Sequence, residues 1–172
     1  MKHSKPHSHA HQPAEIRVAK VASPIGPLLV YADASGLVAL DFPGAKPAPG
    51  STSATTNDRG TLQAAASALR DYFAKGKALP RKLAGRREGT PFQEKVWAAI
   101  ERIPLGETRS YGEIADQVGH PRAARAVGSA CGANPLPLFV PCHRVVASLG
   151  KIGGYAGRTE VKVKLLKMEG AL

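Results

Sequence analysis

The chain has 172 residues, with 24 Lys and Arg against 13 Asp and Glu, a formal charge of +11. At 43% hydrophobic and 22% charged it has the composition of a folded globular protein and excludes a disordered polyelectrolyte; two cysteines, Cys131 and Cys142, exclude a disulfide scaffold and a four-thiolate zinc site. No apolar run is long enough to span a bilayer and the polar N-terminus lacks the apolar middle of a secretory signal, so the chain reads as cytoplasmic, with no membrane partner and reduced thiols.

Such an excess of positive charge attracts polyanions such as nucleic acid whatever the fold. It is unevenly spread. Six cations and no acid lie between Lys75 and Arg87, and eight cations stand against Glu160 alone between His120 and Lys167, a local charge of +7. The first run taken alone reads equally well as a solvated face; the second coincides with the chemical motifs below.

Residues 1–15 carry His3, His7, His9 and His11 among Ser, Pro and Lys without apolar periodicity, and read as a disordered tail, with metal binding as the alternative. The β-prone runs 16–22, 28–32 and 37–42 are separated by turn sequences and predict an antiparallel meander. Residues 43–60, rich in Pro, Gly, Ser and Thr, predict a loop. Leu62, Ala66, Leu69 and Phe73 share one face of a helix over 61–75 that covers the sheet. A basic linker, 76–89, then separates a first unit, 16–89, from a second, 90–172.

Thr90-Pro91-Phe92-Gln93 is a capping box with proline at the first helical position, so a helix starts there and stops at Pro104 and Gly106. Ser110 and Glu113 form a second capping box opening a short helix through Val118. Gly119-His120 turns the chain, and Pro121 begins the next helix, through Ala130. Helix, glycine-containing turn, helix is the helix-turn-helix pattern. Its second helix carries Ala, Gly and Ser at nearly every position, unlike a major-groove reader. Two readings stand side by side here: a helix packed in a core, or one whose small residues allow close approach to a minor groove with Arg125 as a long probe. After it, Pro135, Pro137 and Pro141 stiffen the segment that delivers Cys142. A lone cysteine is by default a small buried hydrophobe, but flanking His143 and Arg144 favour the nucleophilic thiolate.

Pro141-Cys142-His143-Arg144-Val145 closely resembles the active-site signature of the O6-alkylguanine-DNA alkyltransferases. Phe92-Gln93, Val96-Trp97, Ile103-Pro104, Gly106, Ser110-Tyr111, Ile114-Ala115, Arg125-Ala126-Val127-Gly128 and Asn134-Pro135 upstream, and Gly153, Tyr155, Gly157, Lys162, Leu165-Leu166 and Glu169-Gly170 downstream, stand in the family's order and spacing. The resemblance spans about 90–170, and is only loose over the first half.

It implies an α+β fold: a small N-terminal antiparallel β-sheet domain with a covering helix, then a mainly helical, winged-helix-like domain. It implies that Cys142 attacks the alkyl carbon on O6 of guanine, less readily O4 of thymine, and keeps the group as a thioether, so each molecule acts once. His143 would take the thiol proton through a water and Glu169 would stabilise the imidazolium, while Tyr111 would hydrogen-bond the purine and Asn134 brace the site. Val145, Tyr155, Ala156 and Gly157 would line the base pocket, with Lys162 near O6. Arg125 would fill the space left by a flipped nucleotide, and Arg122, Ala123, Ala124, Ala126 and Gly128 would face the minor groove of double-stranded DNA, bound without strong sequence preference. No cofactor or metal is implied, and the protein is expected as a monomer, with cooperative clustering on DNA left open. Ala156 stands where some relatives carry Ser, and Gly132 where some carry a basic residue. Cys131 reads as a packing residue, with a redox partner for Cys142 as the alternative. Two other functions compete: a sensor that flips alkylated bases and recruits other repair proteins, against which Cys142 itself argues, and a Cys-His hydrolase, whose oxyanion donors the sequence does not advertise.

Overall fold

The computed structural model describes residues 15–54, 60–85, 87–155 and 158–172; the histidine tail up to residue 14 and the site candidates Ala156 and Gly157 lie outside them. Three strands form at the β-prone runs: β1 (Arg17–Val21), β2 (Leu28–Asp33) and β3 (Gly36–Asp41). β1 pairs antiparallel with β2, Val18 opposite Tyr31, and β2 pairs antiparallel with β3, Val30 opposite Leu40, with a register shift between Tyr31 and Ala32.

The expected loop 43–60 contains one further short strand, β4 (Thr52–Ser53), which runs parallel to β1. The sheet order is therefore β3-β2-β1-β4: the three strands of the expected meander are antiparallel, and the loop expectation for 43–60 is corrected by this parallel edge strand. Thr52 and Ser53 are both exposed and too few to show a period-2 pattern; Thr52 N–H donates to Ile16 C=O at 2.8 Å, so pairing with an existing edge makes the strand.

Helix α1 (Thr61–Lys75) covers the sheet and ends at Gly76 in the left-handed conformation. Its buried stripe is Leu62, Ala65, Ala66, Leu69 and Tyr72, so the face is turned from the expected one: Tyr72 occupies the core and Phe73 is only partly buried. The two rings meet edge to face, 4.9 Å apart. In the basic linker, a 3-10 turn over Arg81–Ala84 buries Ala84. Gly85 follows with φ 61°, where an added Cβ would lie 2.3 Å from the Leu37 carbonyl oxygen, so only glycine lets the linker lie against β3.

Helix α2 (Pro91–Ile100) begins at the capping box: Thr90 Oγ1 accepts from Gln93 N–H at 3.3 Å and Gln93 Oε1 accepts from Thr90 N–H at 2.9 Å. It buries Val96, Trp97, Ala99 and Ile100. β5 (Arg109–Ser110) leads into α3 (Tyr111–Gln117), capped by the reciprocal Ser110 and Glu113 bonds.

The next helix, α4 (Ala124–Gly132), starts three residues later than Pro121 and continues two beyond Ala130. Pro121 and Arg122 stand in a turn, with Ala123 N–H donating to His120 C=O at 2.8 Å, and Ala123 caps the helix without a side-chain bond. Proline suits a turn here as well as a first helical position. A parallel strand pair joins β5 to β6 (Val145–Val146), and α5 (Thr159–Met168) closes the chain. One continuous apolar core runs from Ala19 and Leu28 of the sheet through Leu69, Trp97 and Ile114 to Leu165. No helix of the described residues is long and apolar enough to cross a membrane.

Candidate active site and nucleic-acid interface

The proline-rich segment places Cys142 by a tight turn. Val140 N–H donates to Leu136 C=O at 2.9 Å, which forces Leu138 into the left-handed region at φ 75°, a conformation that costs a leucine about 1–3 kcal/mol. Cys142 then opens a 3-10 turn over Cys142–Arg144, its N–H donating to Val140 C=O at 2.7 Å. Asn134 braces this turn with three bonds. Its Nδ2 donates to Val140 C=O at 2.9 Å and to Cys142 Sγ at 3.2 Å, and its Oδ1 accepts from Leu136 N–H at 3.0 Å.

Cys142 is buried, and burial pushes its thiol up, opposed by the Asn134 bond, by Tyr155 and by the Lys162 charge. The resting site therefore holds a thiol rather than a thiolate. Arg144, read from sequence as a cation favouring thiolate, does something else. Its Nε donates to Glu169 Oε2 at 2.8 Å, its Nη2 to Glu169 Oε1 at 2.9 Å and its Nη1 to Ile103 C=O at 2.7 Å. The guanidinium is held by the carboxylate and a backbone carbonyl. That leaves deprotonation to a neighbouring base.

His143 is fully buried, with Nε2 2.9 Å from Glu169 Oε1 and Nδ1 without a hydrogen-bond partner among the described residues. Four donors surround Glu169: His143 Nε2, Arg144 Nε and Nη2, and the Tyr72 hydroxyl, which donates to Oε1 at 2.6 Å. These bonds hold the carboxyl well below its ordinary range despite burial. An ionised carboxylate only accepts, so His143 Nε2 carries the hydrogen and the neutral ring keeps its Nδ1 lone pair free. Burial pushes His143 below 6.5, so it stands neutral at pH 7. His143 and Cys142 make no direct hydrogen bond.

A cleft of about 660 Å³ is lined by Cys142, Asn134, Tyr111, Tyr155 and the small residues Ala124, Gly128, Cys131 and Gly132 of α4, with Arg125 at its edge. Tyr111 opens α3; its hydroxyl donates to Gly154 C=O at 3.3 Å, and burial raises it to about 12. Gly153 sits at φ 72°, where an added Cβ would lie 3.1 Å from the Tyr111 ring, so the loop approaches that ring only with glycine. Tyr155 is buried; its hydroxyl affects the Cys142 thiol at close range without a hydrogen bond of good geometry. Lys162 projects from α5, fully buried, with Nζ donating to Val145 C=O at 2.6 Å and Gly154 C=O at 3.2 Å; burial pushes its ammonium down. It ties the loop beneath the cleft to β6. Cys131 is half-buried, its thiol pushed up to about 12 mainly by burial, which suits packing better than redox chemistry.

The structure thus brings Cys142, His143, Glu169, Asn134, Tyr111, Val145, Tyr155 and Lys162 together. Arg125 and Ala126 are exposed on α4, Ala124 and Gly128 partly so, and Arg122 and Ala123 lie in the turn before it. On the alternative of a purely buried helix, α4 is amphipathic: Val127 and Ala130 face the core and the other side is open. Sequence reasoning missed Tyr72, because the expected stripe turned Phe73 inward in its place; a tyrosine known to lie on the buried stripe would have called for a hydroxyl partner.

The second half, residues 91–171, matches the family model described as 6-O-methylguanine DNA methyltransferase, DNA binding domain, and residues 16–80 match that described as 6-O-methylguanine DNA methyltransferase, ribonuclease-like domain. A methylated-DNA-protein-cysteine methyltransferase of Methanosarcina acetivorans is 44% identical over 150 residues, 87% of this chain and 95% of that one. Its counterpart from Mycobacterium tuberculosis is 46% identical over 149 residues, 87% of this chain and 89% of that one. The crystal structure of the O6-methylguanine methyltransferase of M. tuberculosis is similar with a TM-score of 0.80 at 40% identity, covering 91% of this chain and 93% of that one. The structure of the M. tuberculosis OGT in complex with DNA gives 0.78 at 41% identity, covering 90% and 93%. The chain belongs to the methylated-DNA-protein-cysteine methyltransferase family.

Proposed function

We propose that this protein repairs DNA directly, by moving the alkyl group of O6-alkylguanine to Cys142. The observation that carries the proposal is the buried thiol at the wall of a cleft, followed in sequence by an imidazole whose Nε2 is fixed by an ionised carboxylate and whose Nδ1 is free. Sγ attacks the alkyl carbon as the carbon–O6 bond breaks, and the thiol proton passes through a water to His143 Nδ1. Glu169 stabilises the imidazolium, with Arg144 balancing the carboxylate. The departing purine takes a proton from the Tyr111 hydroxyl, and the tyrosinate regains one through solvent as the imidazolium gives up the thiol proton, so the net transfer is one proton from thiol to purine. Tyr155 lines the pocket, and Lys162 holds its loop to the buried Val145; Ala156 and Gly157, which the family resemblance adds to the pocket, lie outside the described residues.

The target atom lies inside a stacked pair, so the nucleotide must be flipped, at a cost of a few kcal/mol. Arg125 enters the vacated space, and the small residues of α4 let the helix approach the minor groove. Phosphate contacts make binding sensitive to salt and nearly indifferent to sequence. Residues 16–89 and 90–172 act as two units of a monomer in the cytoplasm, and a thioether offers no route back to thiol, so each molecule is used once.

The test separates transfer from recognition. Cys142→Ser should leave affinity for duplex DNA containing O6-methylguanine within about twofold while abolishing repair. A Cys142→Ser protein that still removes the methyl group would overturn the assignment of the nucleophile. If the unaltered protein binds the lesion but never demethylates it, the chain is a sensor.

A further inference from the structure

The hydroxyl of Tyr72 comes from α1, 97 residues before Glu169 in the sequence, yet donates to Glu169 Oε1 at 2.6 Å in a fully buried setting. The same oxygen faces His143 Nε2 at 2.9 Å. Resting on the alkyl-transfer reading, we propose that Tyr72 is a positioning residue for the proton relay: the N-terminal half supplies the bond that fixes the Glu169 carboxylate against His143 and shares its negative charge.

The neighbours make this bond separable from bulk electrostatics. Among the described residues, the groups that act on the His143–Glu169 pair are Tyr72 from α1 and Arg144 from the 3-10 turn, both bonded to the carboxylate, and the charge of Lys162 from α5. Arg144 and Lys162 are cations; Tyr72 alone is uncharged, its phenol held protonated by burial and by the carboxylate. Removing the hydroxyl therefore deletes one hydrogen bond without changing the charge of the site. The ring is independently anchored in the α1 stripe, beside Leu69 and edge to face with Phe73, so Tyr72→Phe keeps its packing.

Two consequences follow from losing the donor. Glu169 Oε1 loses one of the bonds that fix its position, which loosens the ring of His143. The carboxylate also concentrates its charge on the imidazole, which raises the basicity of His143.

The experiment measures the rate of methyl transfer from duplex DNA to the full chain across pH 4.5–8 for the unaltered protein, Tyr72→Phe and Tyr72→Leu. In Tyr72→Phe the plateau rate should fall roughly threefold to tenfold and the acid limb should move up by several tenths of a pH unit. Tyr72→Leu should show the same limb shift together with a lower melting temperature, because it also loses ring packing. An unshifted limb in both variants would overturn the inference and make Tyr72 a packing residue only. If the unaltered protein transfers no methyl group, the functional reading itself fails, an outcome distinct from the first.

Discussion

Replacing Glu169 by Gln tests the buried network most sharply. The carboxylate accepts from four donors on three residues, and the amide oxygen can serve only part of that set, while its NH₂ would face donors. Arg144, buried with Nη1 on Ile103 C=O, would keep its charge without a counter-ion. Breaking a buried pair by removing one partner costs about 3–5 kcal/mol. For a chain of this size each kcal/mol moves Tm by about 2–4 °C, so Glu169→Gln should melt roughly 10 °C lower at pH 7. The sign with pH follows from the depressed carboxyl. Its contribution is complete above its ordinary value near 4.5 and is lost as pH falls through that range toward the folded value. The gap between the two proteins should therefore narrow below pH 4.5. Calorimetry of both from pH 3.5 to 7 is the assay. A Tm within about 2 °C at pH 7, or a gap that stays constant into acid, would refute the view that Glu169 is an ionised hub.

Three further outcomes are expected. Arg125→Ala should slow transfer from duplex DNA about tenfold, about 1.4 kcal/mol, and leave transfer from a single strand nearly unchanged; equal loss on both substrates would remove Arg125 from flipping. Asn134→Leu strands Leu136 N–H, removes one of the two donors to Val140 C=O and releases Sγ, so it should cost about 1–3 kcal/mol of stability and lower transfer at least tenfold, read by melting and single-turnover kinetics. Because burial holds His143 neutral below its ordinary value, transfer by the unaltered protein should be flat through neutrality and decline only below pH 6.5; a decline beginning above pH 7 would contradict a neutral base.

Much of this was legible in sequence wherever local chemistry decides structure. Both capping boxes, Thr90 with Gln93 and Ser110 with Glu113, appear as read, because each closes within three residues. The long-range partners were not legible. β4 exists because β1 offers an open edge, not because Thr52-Ser53 is β-prone. The start of α4 was misplaced because proline serves turns as readily as first helical positions. Arg144 stands beside Cys142 in sequence, yet its guanidinium belongs to Glu169, 25 residues later. Tyr72 and Glu169 meet only because α1 packs between the sheet and the end of the chain, a contact no spacing rule encodes.

The proposed function makes Cys142 the acceptor of the alkyl group. Titrating the protein with duplex DNA carrying isotopically labelled O6-methylguanine, followed by peptide mapping, should place the label on Cys142 and saturate at one methyl per chain. Label on another residue, or many methyl groups removed per chain, would contradict it.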